Sequence, residues 1–353
     1  MRVDTGHPAC APTLKKMPTT PMESSGQKAG EARQLGLAAF GLGLISEVTP
    51  PGAWEARPLR EPRLQLQSVT AQTIESGWSG LESIGWEAVI DGAPFVVERG
   101  VEGDHRFVHG APPDRRGAPG AGTRAIHHLG ADASVLLCAP TDPAEPSWWR
   151  VVLDSVLFTV ALLQGYEALH AGAVATRDGA IAITAGSGGG KSTLLAELLG
   201  RGLELMADDV LVLEPRGIEP PLAHPGPPLM TVPAGRIPAL RDGSASQTIS
   251  TLDDECWIAI PVYPQPLPLK ALVVLDRQPG LQSSGLQSTL QKIDDPLAAL
   301  MGSLMNFPRS PERQRARFKL ASVLAATTTL WRLTADLNTP PDVLADMLLA
   351  GEL

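Results

Sequence analysis

Between Ala185 and Ser192 the chain reads Ala-Gly-Ser-Gly-Gly-Gly-Lys-Ser, a glycine-rich run closed by a lysine and a hydroxyl. Residue types in this order handle phosphate. Glycines let consecutive backbone N–H groups turn toward one anion, and a helix starting behind them adds roughly half a unit of positive charge. The lysine reaches outer phosphates, and the hydroxyl is an oxygen ligand for Mg²⁺. Gly186, Ser187, Gly188, Gly189, Gly190, Lys191, Ser192 and Thr193 are therefore the expected binding residues for ATP, with Ser192 on the metal. Ala185 stands where such loops usually begin with glycine. Lys191 is also the only lysine between Lys28 and Lys270, in a region that otherwise uses arginine. A compact ammonium suits a phosphate, which explains the exception.

A loop of this kind works only between a strand and a helix. Ala180–Thr184 is an apolar, strand-like run, and Leu194, Leu195, Leu198 and Leu199 make an apolar stripe at helical spacing behind the loop. These flanks disfavour the bland alternative, a flexible Gly/Ser turn. One helix and one turn after Lys191 come Asp208 and Asp209, expected on a strand beside the loop and close enough to serve a metal and an incoming hydroxyl. A translocation ATPase would place its acidic strand much later, after a Leu-Ser-Gly-Gly signature that this chain lacks.

The run His170, glycine loop, Lys191, Ser192 and Ala207–Asp208–Asp209 resembles HPr kinase/phosphorylase and its relatives, which share the ATP-using phosphoenolpyruvate carboxykinase fold. The resemblance covers His170–Leu213. It implies that Asp209 accepts a proton, that Lys191 and His170 are active-site residues, and that Asp208 assists at the metal. Weaker likeness to a looser HPr-kinase-like group runs through Phe40–Gly41, Ser46–Glu47, Pro225–Gly226, Ala271–Leu275 and Trp331–Arg332–Leu333. The family's metal glutamate, in an Ile-Glu-Ile-Arg-Gly-like stretch, has no counterpart in Leu229–Met230–Thr231–Val232–Pro233. Glu214 is a candidate substitute. The resemblance implies transfer of a γ-phosphoryl group to a hydroxyl acceptor: a Ser/Thr on a peptide or small protein, or a small-molecule alcohol. The alternative is a non-catalytic ATP-binding accessory or sensor protein.

Composition sets the frame. The chain has 353 residues, 43% of them hydrophobic, enough for a sizeable core. The expected organisation is α/β: a disordered tail over 1–33, a smaller β-rich N-terminal domain over 34–145 and a P-loop HPr-kinase-like domain over 146–353. A net charge of −9 argues against a nucleic-acid partner. No apolar run approaches the roughly 20 residues of a membrane helix. The three cysteines (Cys10, Cys138, Cys256) have no disulfide or zinc spacing, which fits a reducing cytoplasm. Self-association into a homo-oligomer is compatible with all of this.

Other elements follow from pattern. Trp86–Ile90 and Pro94–Val97 flank Asp91–Gly92 as a hairpin. Trp148–Tyr166 is a predicted helix with Trp149, Val152, Val156, Val160 and Leu163 on one apolar face. Leu272–Leu275 and Thr327–Leu333 read as strands, and Thr339 as the cap of a final helix opening at Pro340–Pro341. Ala111–Gly122 reads as a mobile loop, and Asp253–Asp254 and Asp294–Asp295 as surface. His105, His109, His127 and His128 lack the companions of a metal site. Arg309, Arg313, Arg315, Arg317 and Lys319 open a predicted helix, either as a solvated face or as a surface steering an acidic acceptor. Arg332 is placed either toward the nucleotide or in a surface ion pair.

Overall fold

The strand that carries the glycine loop, Gly179–Ala185, is buried along its whole length, as a central strand covered on both faces must be. The computed structural model describes residues 35–351 apart from 48, 59–60, 91, 111–122, 144–146, 237–246, 253–254, 281–286 and 306–309. The expected tail, the loop 111–122, Asp253–Asp254 and Arg309 lie outside the described residues. The protein is α/β, with mixed sheets and few helices.

Nine strands between Leu35 and Pro140 form one sheet. The Leu81–Ile90 and Ala93–Gly100 strands make its edge hairpin, with Val89 opposite Pro94 and Ile90 opposite Ala93. The following helix runs from Ser147 to Leu163 and widens into a π-type turn over Val152–Val156. It is more enclosed than an amphipathic stripe predicts. Its apolar side chains share one cluster with the sheet's Leu64, Phe95 and Phe107, and with Val210, Val212 and Trp257 beyond it.

The second sheet runs Glu167–His170, Val210–Arg216, Glu219–His224, Leu267–Gln278, Gly179–Ala185, Gly172–Thr176, Glu204–Ala207. Its centre is parallel: Leu267–Gln278 pairs in parallel with Gly179–Ala185 and with Thr329–Asp336. Helices Lys191–Gly200 and Pro341–Ala350 pack with one cluster of core side chains, and Pro296–Ser303 and Pro311–Thr327 with another. The proline-rich stretches around residues 219–233 resolve into strands, and Leu229–Pro233 joins Gln247–Leu252 and Glu255–Ala259 in a three-stranded sheet.

The helix behind the loop is anchored by Leu194, Leu195, Leu198 and Leu199, all buried. Each contributes about 1.5–3 kcal/mol when fully removed from water. Gly172 makes the seat: a Cβ there would lie 2.2 Å from Leu195 Cδ1. Thr339 does not cap the final helix; Pro340 holds that position without a side-chain bond, and Thr339 is buried. Among the described residues no helix is long and apolar enough to cross a membrane.

Candidate functional site

Gly190 closes the loop at φ 89 as the residue before helix Lys191–Gly200, and Gly188 has φ 70. Side chains rarely adopt this left-handed conformation, so glycine here is a backbone requirement. Gly189 N donates to Gly186 O at 2.9 Å, tightening the turn. Gly186, Ser187 and Gly188 are exposed, whereas Lys191 is buried at the start of the helix.

Asp208 and Asp209 occupy the corner between strands Glu204–Ala207 and Val210–Arg216, not a strand as the sequence suggests. The reason is local: Asp209 has φ 58, and left-handed backbone cannot continue a strand. The corner turns both carboxylates toward the loop. Lys191 Nζ donates to Asp209 Oδ1, and His170 Nε2 lies 3.1 Å from the same oxygen. His170 ends strand Glu167–His170 opposite Val210, which fixes its distance from the corner. The side chains of His170 and Asp209 remain 46% and 64% exposed, so a ligand can reach them. Ser192 Oγ is 3.5 Å from Asp208 Oδ1, and Thr231 N donates to Asp208 Oδ2 at 2.8 Å.

The two aspartates differ in electrostatics. Burial pushes Asp208 up, against the lowering pull of Lys191 and the Thr231 N–H. Crowding would also raise Asp209. There the His170 hydrogen bond and the Lys191 charge outweigh it and hold the carboxyl well below the usual range.

A cavity of about 230 Å³ opens on this corner. Ser192, Asp208 and Asp209 line it together with Arg150, Asp154, Glu255 and Trp257, none of which the sequence marks as functional. A signal for two of them exists: Arg150 and Asp154, spaced i,i+4, are the charged residues in an otherwise apolar helix. Glu255 pairs in register with Pro233, so a neighbouring strand brings a carboxylate beside the stretch that lacks one. The hard oxygens of Ser192 and Asp208 suit Mg²⁺, which takes one or two protein carboxylates and completes its shell with phosphates and water.

Several expected residues are elsewhere. Glu214 bonds His224 at 2.9 Å and does not line this cavity, because it lies five residues along the strand from Asp209. Arg332 is exposed and lines neither cavity beside the loop. The arginine run is a solvated face only in part: Arg315 and Lys319 are exposed, whereas Arg313 and Arg317 turn inward. Arg313 reaches across 146 positions to Glu167 at 2.7 Å and donates to Tyr166 O at 3.2 Å. Arg317 is buried and donates to Leu304 O at 2.8 Å. Arg315 alone of the three is exposed, pairing with Glu312 at 3.0 Å. Among the described residues no three His, Cys, Asp or Glu side chains are grouped to hold a metal. His128 bonds Asp104, and His127 is fully buried, both away from the loop.

Neither a protein-family model nor a curated protein matches the chain. Among solved structures, the Hpr(Ser) kinase/phosphatase from Coxiella burnetii is similar over 52% of this chain and 95% of that one, at 12% identity and a TM-score of 0.30. A likeness this shallow carries no weight about chemistry. The side chains have to supply it.

Proposed function

We propose that the protein is an ATP- and Mg²⁺-dependent kinase, its HPr-kinase-like P-loop domain following a smaller β-rich domain, that transfers the γ-phosphoryl group to a hydroxyl acceptor. One observation carries this reading: Lys191 and His170 converge on a single oxygen of Asp209 at the end of a glycine loop, with a cavity opening on the same corner. The loop amides of Gly186–Gly190, other than Gly189 N, which bonds Gly186 O, would donate to phosphate oxygens together with the N–H groups of Lys191, Ser192 and Thr193. Ser192 and Asp208 would hold Mg²⁺, which supplies neutralisation of charge on the transferring group.

Lys191 has two competing anions in this scheme, Asp209 and an outer phosphate. While it pairs with Asp209, that carboxylate is ionised but a weak base. When the ammonium turns to phosphate, Asp209 loses its strongest cation and gains affinity for the acceptor's proton. His170 keeps the carboxylate oriented during the exchange. The acceptor is a Ser/Thr of a peptide or small protein, or a small alcohol, whose hydroxyl enters the 230 Å³ cavity.

The test is calorimetric and chemical. ATP–Mg²⁺ at about 100 times its Kd should stabilise the protein by about 2.7 kcal/mol. Lys191→Ala should lose most of that gain while melting normally without nucleotide. ADP released in step with a phosphorylated product establishes the kinase. Binding without transfer to any hydroxyl acceptor would leave a nucleotide sensor instead, and an undiminished ATP response in Lys191→Ala would remove the loop assignment.

A further inference from the structure

A second cavity, of about 770 Å³, borders the glycine loop and shares no lining residue with the first. Its walls include Gly190, Thr193, Arg277, Leu337, Asn338 and Pro341. Arg277 stands at the end of the central parallel strand Leu267–Gln278 and is fixed there from behind. Its Nη2 donates to Leu337 O and, at 3.0 Å, to Thr339 O. Its Nη1 makes no hydrogen bond among the described residues and faces the loop: a Cβ added at Gly190 would lie 3.9 Å from it. Among the described residues, Arg277 Nε is buried without a hydrogen-bond partner. A guanidinium clamped at one nitrogen, with the other aimed past a phosphate-binding turn, is arranged to receive an anion from the groove side.

The loop has a polarity that decides which anion. Lys191 and Asp209 mark the end where the phosphoryl group would leave. A triphosphate lying on the loop with its terminal group there sends its other end away from the first cavity, past Gly190 and Thr193. The second cavity borders both of those residues. Its volume suits a nucleoside, with Leu337 and Pro341 as apolar wall and Asn338 as a polar one.

We infer that this groove holds the nucleoside end of the phosphoryl donor and that Arg277 binds the phosphate next to it, so that the site selects nucleotides over pyrophosphate. This rests on the kinase reading above but concerns a different residue and a different end of the donor. Arg277 is a binding residue for the donor here; it touches no reacting atom.

Isothermal titration with ATP–Mg²⁺ and with Mg²⁺-pyrophosphate separates the possibilities. Wild type should bind ATP more tightly than pyrophosphate. Arg277→Gln should weaken ATP about 10- to 100-fold, the usual effect of losing a hydrogen bond to a charged group. Pyrophosphate, which ends before Arg277, should shift by less than about 2-fold. Arg277→Lys keeps the charge without the planar fork and should fall between; it carries the test if Arg277→Gln melts early. Equal losses for both ligands would make Arg277 a support of the loop and overturn the inference. So would a wild type that binds pyrophosphate as tightly as ATP. Failure of wild type to bind either ligand would remove the kinase reading itself, and this inference with it.

Discussion

Two cation–carboxylate pairs in this molecule use the same chemistry to opposite ends. Lys191–Asp209 sits at the loop, its carboxylate 64% exposed and held well below the usual pKa range. Arg313–Glu167 sits between helix and sheet, with side chains 14% and 2% exposed. There burial outweighs the arginine and pushes Glu167 up to about 7. The first pair has an open side and a second partner in His170, so an incoming anion can exchange with it. The second is enclosed, and Arg313 is tied to main-chain carbonyls as well as to Glu167. Access, not pairing, separates an exchangeable site from a strut.

The strongest way to break this contrast is Asp209→Asn. It keeps the shape and much of the hydrogen bonding but removes the base, so transfer should fall by about 10²–10⁴-fold while ATP affinity persists. Near-normal transfer would make the loop pair as structural as the buried one. Arg313→Gln should do the reverse. Leaving Glu167 buried without its cation should cost about 3 kcal/mol of stability, read by denaturant unfolding, with ATP affinity of the folded protein unchanged. A weakened ATP affinity would tie the strut to the site.

The same variant has a pH signature. Glu167 keeps its proton in the folded state between its unfolded pKa of 4.5 and about 7. The unfolded chain has already released it, so this group's contribution to stability is present at low pH and is lost as pH rises through that window. Without Arg313 the carboxyl is pushed higher still, and the loss should run further. The melting temperature of Arg313→Gln should therefore drop more than that of wild type between pH 6 and 8. An equal drop would mean that Glu167 does not titrate there. The smallest effect belongs to Arg315→Gln. Its side chain is 74% exposed, so stability should change by less than about 0.5 kcal/mol and turnover not at all. A salt-dependent loss of turnover would restore the steering role to the arginine run.

The loop was legible because its signal is local: glycines at fixed spacing, one lysine, an apolar strand before and a leucine stripe after. The site's other half was not. Arg150, Asp154 and Glu255 line the cavity at the aspartate corner, and Arg277 lines the cavity beside Gly190; each is brought there by the packing of segments distant in sequence. The arginine run shows the same limit in reverse. Charges clustered at a helix start read as a wet surface, and only packing reveals that Arg313 turns inward to a glutamate 146 positions away. The strand alternation of the N-terminal region was partly visible, but not the parallel pairings of Arg63–Ser68 with Leu42–Ser46 and with Val135–Pro140 that knit its nine strands into one sheet.

The backbone at Asp209 carries one more consequence. With φ at 58, the residue holds a conformation that glycine would adopt more comfortably. Replacing it with glycine would relax that backbone but leave Lys191, whose side chain is 10% exposed, without its carboxylate, and an uncompensated charge at that depth costs more than one strained residue. The corner is therefore held by its ion pair against the preference of its backbone, and a laboratory selection for thermal tolerance alone should keep the aspartate.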